Sequence, residues 1–103
     1  MKRVLIVPPH DLTLQRSDGI NHALYKANIM ASICREDQQE VRGVDIMLVL
    51  LGKKPNFPLL RRMGEAARNA EVPIVYADAD SVRIVGVVVE ALHSSDLLLK
   101  TGS

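Results

Sequence analysis

Short apolar runs alternate along this chain with segments in which apolar residues recur every three or four positions, a pattern that predicts strands and helices in turn. Lys2-Arg3-Val4-Leu5-Ile6-Val7 shows no polar alternation and stops at Pro8-Pro9, which predicts a first strand buried on both faces. Beyond Gly19, the apolar residues Ile20, Ala23, Leu24, Ala27, Ala31 and Cys34 keep helical spacing, with Asp18 as a cap, and predict one long amphipathic helix. Its polar continuation from Arg35 to Glu40 ends at Val41, and Gly43 can supply the left-handed closing position. Val44 to Leu51 is the most apolar segment, ends at Gly52, and predicts the central strand of a parallel sheet. Pro58 suits the first turn of a second helix, whose stripe of Leu59, Met63, Ala66 and Ala70 lies opposite Arg61, Arg62, Glu65, Arg68 and Asn69. Val72 to Ala77 predicts another buried strand, with Pro73 near its start. After the caps offered by Asp78 to Ser81, Val82, Val85, Val89 and Leu92 share one helical face, although the valine density also suits a strand. Leu97-Leu98-Leu99 reads as a last edge strand. These elements predict an α/β fold: a small doubly wound parallel sheet of about four strands with helices on both faces.

Composition narrows the function classes more than it names one. A length of 103 residues predicts one domain over 1–103. With 48% hydrophobic and 24% charged residues the chain has enough apolar surface to fold. Thirteen basic against twelve acidic residues leave a formal net charge of +1, so any anion site must be local rather than a surface-wide nucleic-acid footprint or a membrane patch. The aromatic residues are Tyr25, Phe57 and Tyr76, too few for a stacking platform along single strands, and no sequence-specific nucleic acid is expected as a partner. The lone Cys34 excludes an internal disulfide framework and a clustered-thiolate zinc site, and a cytoplasmic location is expected. No apolar run approaches the roughly 20 residues of a spanning helix, and the Val4 to Val7 run meets proline too early for a signal peptide, so a soluble, unprocessed chain is expected.

Ligands on such sheets sit beyond the carboxyl ends of the strands. That rule gathers His10 and Asp11, the segment Lys53 to Phe57, and Asp78 with Asp80 around one crevice. Neither a phosphate-cradling loop of the Walker type nor a G-x-G-x-x-G run is present, which removes the main support for triphosphate and dinucleotide sites. His10 and Asp11 could act as an acid and base pair, although adjacent polar residues in a turn are more often solvated surface. The three histidines are far apart and no helix pairs two of them on one face, so no metal and no cofactor are expected. Lys53, Lys54, Arg61 and Arg62 crowd positive charge around the start of the second helix, where the macrodipole disfavours it. A bound phosphate or carboxylate would relieve that conflict; a solvated basic rim is the equally weighted alternative. Cys34 reads as packing rather than a reactive thiol. The valine stripe from Val82 to Leu92 reads as core, or, where exposed, as the interface of a homodimer or higher oligomer.

From Met30 onward the chain resembles the nucleoside 2-deoxyribosyltransferases, small flavodoxin-like α/β enzymes that cut and exchange N-glycosidic bonds. Asp37, Val41 and Asp45-Ile46-Met47-Leu48 carry the resemblance, followed by Ala67, Ala70 and Val72-Pro73-Ile74-Val75. It covers residues 30–77 and is specific mainly between Asp37 and Leu48. The resemblance implies a nucleoside-like or nucleotide-like pocket in which Asp37 contacts base, sugar or nucleophile. It also implies a nucleophilic glutamate near the start of the second helix. An ungapped register from Asp45 to Pro73 sets that position on Met63, while Phe57 to Arg62 replaces the family's glycine-rich turn and Leu5-Ile6-Val7 its first-strand tyrosine. Glu65 is the nearby carboxylate, but two residues turn it about 200° from Met63 around the helix. Three readings follow. The first is a ligand-binding protein with Asp37 on base or sugar, phosphate on Lys53, Lys54, Arg61 and Arg62, and His10 with Asp11 closing the crevice. The second is an active deoxyribonucleoside or nucleotide N-glycosidase or transferase using Glu65 and Asp37 as the carboxylate pair. The third is a non-catalytic assembly module whose pocket is filled by Leu59, Leu60 and Met63.

Overall fold

Two unalternating apolar runs become the two inner strands of the sheet, because only a strand covered on both faces can bury every side chain. The structure, a computed structural model, describes residues 1–101 and the side chains of residues 1–94. In it β1 (Lys2–Val7) lies between β2 (Ile29–Ile33) and β3 (Ile46–Leu51), and β4 (Ile74–Asp78) flanks β3. All pairings are parallel: Lys2↔Ile29 to Ile6↔Ile33, Val4↔Ile46 to Val7↔Val49, and Met47↔Ile74 to Leu51↔Asp78. The helices are α1 (Leu14–Lys26), α2 (Phe57–Asn69) and α3 (Ile84–Thr101).

On one face Val4, Ile6, Ile46, Leu48, Leu50 and Ala77 pack against Ile20 and Leu24 of α1 and against Ile84, Val88 and Leu92 of α3. On the other, Leu5, Val7, Met47 and Val49 pack against Leu59, Met63 and Ala67 of α2, with Cys34 and Val41 beside them. Each fully buried Leu, Ile or Met in these layers contributes about 1.5–3 kcal/mol through loss of apolar surface. The order β2-β1-β3-β4, with helices on both faces, makes a small doubly wound sheet compatible with a flavodoxin-like arrangement. Among the described residues no helix is long and apolar enough to cross a membrane.

Three expectations from the sequence are corrected. The long helix over Ile20 to Cys34 is two elements. α1 starts six residues earlier, capped by Thr13 rather than Asp18, and Gly19 lies inside it. It stops where Asn28 turns left-handed at φ 65°, with its N–H on the Tyr25 carbonyl at 3.0 Å. Asn is among the few residues that adopt that conformation readily. Ile29–Ile33 then satisfies its backbone on the open edge of β1, and the polar run from Arg35 to Glu40 belongs to an irregular β2–β3 connection. The α3 stripe is also rotated. Its buried face is Ile84, Val88 and Leu92, whereas Val82 precedes the helix and is 96% exposed and Val89 is 44% exposed. Finally, Leu97 to Leu99 continues α3 rather than forming a strand. The sheet still has four strands, with β2 in place of that last one.

Candidate functional site: a crevice where the strand order reverses

The chain leaves β1 towards β2 on one side and later returns to build β3 and β4 on the other. A crevice opens beyond the strands' carboxyl ends, bordered by the loops after β1, β3 and β4. Pro9 to Thr13, Arg16, Leu51 to Lys53 and Asp78 to Asp80 border this crevice of about 330 Å³, a size suited to a small organic ligand.

Local chemistry fixes each wall. Pro8 and Pro9 lack N–H groups and end β1. The following turn is drawn to the β3–α2 loop by the His10 N–H, which donates to the Lys54 carbonyl at 2.7 Å. Asp11 then accepts from two successive backbone amides: Lys53 N–H on Oδ2 at 3.1 Å and Lys54 N–H on Oδ1 at 3.0 Å. Gly52 makes this approach feasible, since a Cβ there would lie 2.6 Å from Asp11 Oδ1 and 2.8 Å from Pro9 Cγ. The Lys54 amide first, with the Lys53 amide adding to it, holds the Asp11 carboxyl below its usual pKa.

Across the crevice, Thr13 caps α1 by accepting from Arg16 N–H at 3.1 Å. The Arg16 guanidinium reaches to the β4–α3 loop, donating from Nε to the Ala79 carbonyl at 2.7 Å and from Nη2 to the Ser81 carbonyl at 3.0 Å. Asp78 Oδ1 accepts from Asp80 N–H at 2.9 Å, which turns the chain after β4 and leaves both carboxylates exposed at the rim.

Of the residues singled out from sequence, Asp11, Lys53, Asp78 and Asp80 border the crevice. His10 is exposed beside it and contributes through its backbone. The four cations are not brought to one point. Lys53 faces the crevice, Lys54 and Arg61 are exposed outside its lining, and Arg62 is turned to the β2–β3 connection. There Arg62 Nε donates to the Gln38 carbonyl at 3.0 Å and Nη2 to the Glu36 carbonyl. Beside the start of α2 lies the chain's own Glu36 carboxylate. Asn56, buried to 5% exposure, caps α2 through Oδ1 on Leu59 N–H at 3.3 Å and donates from Nδ2 to Glu36 Oε1 at 2.8 Å.

Asp37 and Glu65 both lie outside the crevice lining. Asp37 is exposed in the β2–β3 connection, not on a helix, and pairs with Arg35 at 3.3 Å; Glu65 is exposed on α2, while Met63 is fully buried. Burial pushes the Cys34 thiol up, in keeping with a packing role. Among the described residues no three His, Cys, Asp or Glu side chains are grouped to hold a metal ion.

Sequence reasoning missed Thr13, Arg16, Glu36 and Gly52, and it included Asn56 within Lys53 to Phe57 without giving it a role. For Gly52 the signal was a glycine directly after the most apolar strand; for Arg16 there was none, since its partners lie more than 60 residues away. Comparison with protein families, curated proteins and solved structures gives no match to this chain.

Proposed function

We propose that the chain binds a nucleoside-like or nucleotide-like small molecule in the crevice beyond β1, β3 and β4. The observation that carries this reading is the convergence of three loops, each with at least one carboxylate or cation, at the place where the strand order reverses. Leu12, Leu51 and Ala79 supply apolar wall for a base or sugar ring, and Asp78 and Asp80 supply acceptors for hydroxyl or amino groups. A cytoplasmic protein with a lone, buried thiol fits this reading.

Binding has stronger support than glycosidic chemistry. A carboxylate pair must flank the bond to be cut, whereas Asp37 and Glu65 are both exposed and neither borders the crevice. Amide chemical shifts recorded during titration with a panel of nucleosides and nucleotides test the proposal. Shifts confined to residues 10–16, 51–53 and 78–81 are expected; a spectrum unmoved at millimolar ligand overturns it.

A further inference from the structure

We propose that Asp11 is a resident anion that sets the ligand class of the crevice, filling the backbone seat a phosphate would take and so selecting an uncharged, hydroxyl-bearing ligand. This rests on the reading of the crevice as a nucleoside-like site.

Successive backbone N–H groups that converge on one point form a concave anion seat, the arrangement loops use to hold phosphate oxygens. The amides of Lys53 and Lys54 converge in this way, and the seat is already taken: each donates to a different oxygen of Asp11. The fit is built in rather than incidental. Gly52 leaves the space the carboxylate needs, Pro9 walls it, and the hydrogen bond from His10 N–H to the Lys54 carbonyl binds the two loops together on the far side.

The remaining charges around the crevice balance: apart from Asp11, two carboxylates, Asp78 and Asp80, and two cations, Arg16 and Lys53, border it. Arg16 spends two donors on the Ala79 and Ser81 carbonyls. A phosphate dianion would meet an occupied seat and the exposed carboxylates of Asp78 and Asp80 at the rim. A ribose or similar polyol meets carboxylate acceptors it can satisfy by donation. At the start of α2, Asn56 caps the Leu59 N–H and holds the Glu36 carboxylate beside it. Phosphate is thus denied at the Lys53 and Lys54 amides by the chain's own carboxylate.

The test compares wild type with Asp11→Ser, which empties the seat, and Asp11→Asn, which keeps its shape without the charge. Adenosine, adenosine 5′-monophosphate and inorganic phosphate are the probes, with calorimetry for affinity and the Lys53 and Lys54 amide shifts for location. Wild type is expected to bind adenosine at least about tenfold more tightly than its monophosphate. Asp11→Ser is expected to gain inorganic phosphate affinity by about tenfold or more, sensed at those two amides, as charge-assisted donors become available. Asp11→Asn should move in the same direction, and it carries the test if the serine variant does not fold. Equal binding of nucleoside and monophosphate by wild type overturns the inference, as does phosphate binding at these amides that is unchanged by either variant. Phosphate gain by a variant, with no nucleoside bound by wild type, would support the resident anion and overturn the nucleoside reading alone.

Discussion

Asn56 joins Glu36 side chain to side chain, its Nδ2 donating to Glu36 Oε1 at 2.8 Å while its Oδ1 caps α2 on Leu59 N–H. One buried amide thus does two jobs that an acid could not combine, since a carboxylate caps a helix well but has no hydrogen to give. Asn56→Asp should keep the cap, set two carboxylates against each other and lower stability by about 2 kcal/mol. Urea denaturation measures this. Adding Glu36→Gln restores a donor to the pair and should recover most of the loss; no recovery would show that the Asn56–Glu36 cross-link is not what stabilises this end of α2.

Neighbouring positions on α2 should respond very differently to substitution. Met63 is fully buried between α2 and the sheet, so Met63→Ala should cost about 2–5 kcal/mol through the cavity it leaves. Glu65 is exposed on the polar face, and Glu65→Gln should stay within about 0.5 kcal/mol. The same Glu65→Gln protein should match wild type in any release of base from deoxynucleosides. A rate that drops on this change would place Glu65 in the chemistry and revive the glycosidase reading.

Glu71 holds φ at 57° two residues past the end of α2, with its N–H on the Arg68 carbonyl at 3.2 Å. Left-handed backbone disfavours a side chain with a Cβ, and this position after a helix usually carries glycine. Glu71→Gly should therefore raise stability by about 0.5–1 kcal/mol despite the extra freedom glycine has in the unfolded chain. A lower urea midpoint would contradict this account of the turn.

Legibility from sequence followed how much each segment's fate was decided locally. β1, β3 and α2 could be read because their apolar runs or stripes stop at Pro8, Gly52 and Ala70, close to where the elements themselves stop. β2 could not. Ile29, Ala31 and Ile33 alternate as a strand should, but Ala27, Ala31 and Cys34 also keep helical spacing, and pairing with β1 settles the matter from outside the segment. α3 was read with its face turned because its start lies at Ile84, after a turn in which Ser81 Oγ accepts from Arg83 N–H at 3.0 Å. In the crevice, Asp11, Lys53, Asp78 and Asp80 followed from the strand-end rule. The partners of Arg16 and Glu36 did not, because each contact depends on how distant layers meet.

The Asp11 seat should show a defined pH response. The folded-state pKa lies below the usual 3.8 because the Lys54 and Lys53 amides stabilise the charged form. A carboxylate shifted in this direction contributes fully above its unfolded value, and the contribution is lost as pH falls through the folded one. The Lys53 and Lys54 amide proton shifts should hold steady down to that region and then move together, with a midpoint under 3.8. Asp11→Asn should abolish the response. A midpoint at or above the ordinary value would mean the two amides do not hold the carboxylate.

β1, with β2 on one flank and β3 on the other, imposes an order on how the polypeptide can mature during synthesis. β1 leaves the ribosome before both of its neighbours, and its second edge stays unfilled until Ile46 to Leu51 has emerged. A stalled product ending anywhere before Ile46 would expose a bare hydrophobic ribbon with unpaired backbone groups, the kind of species that chaperones capture or that self-associates.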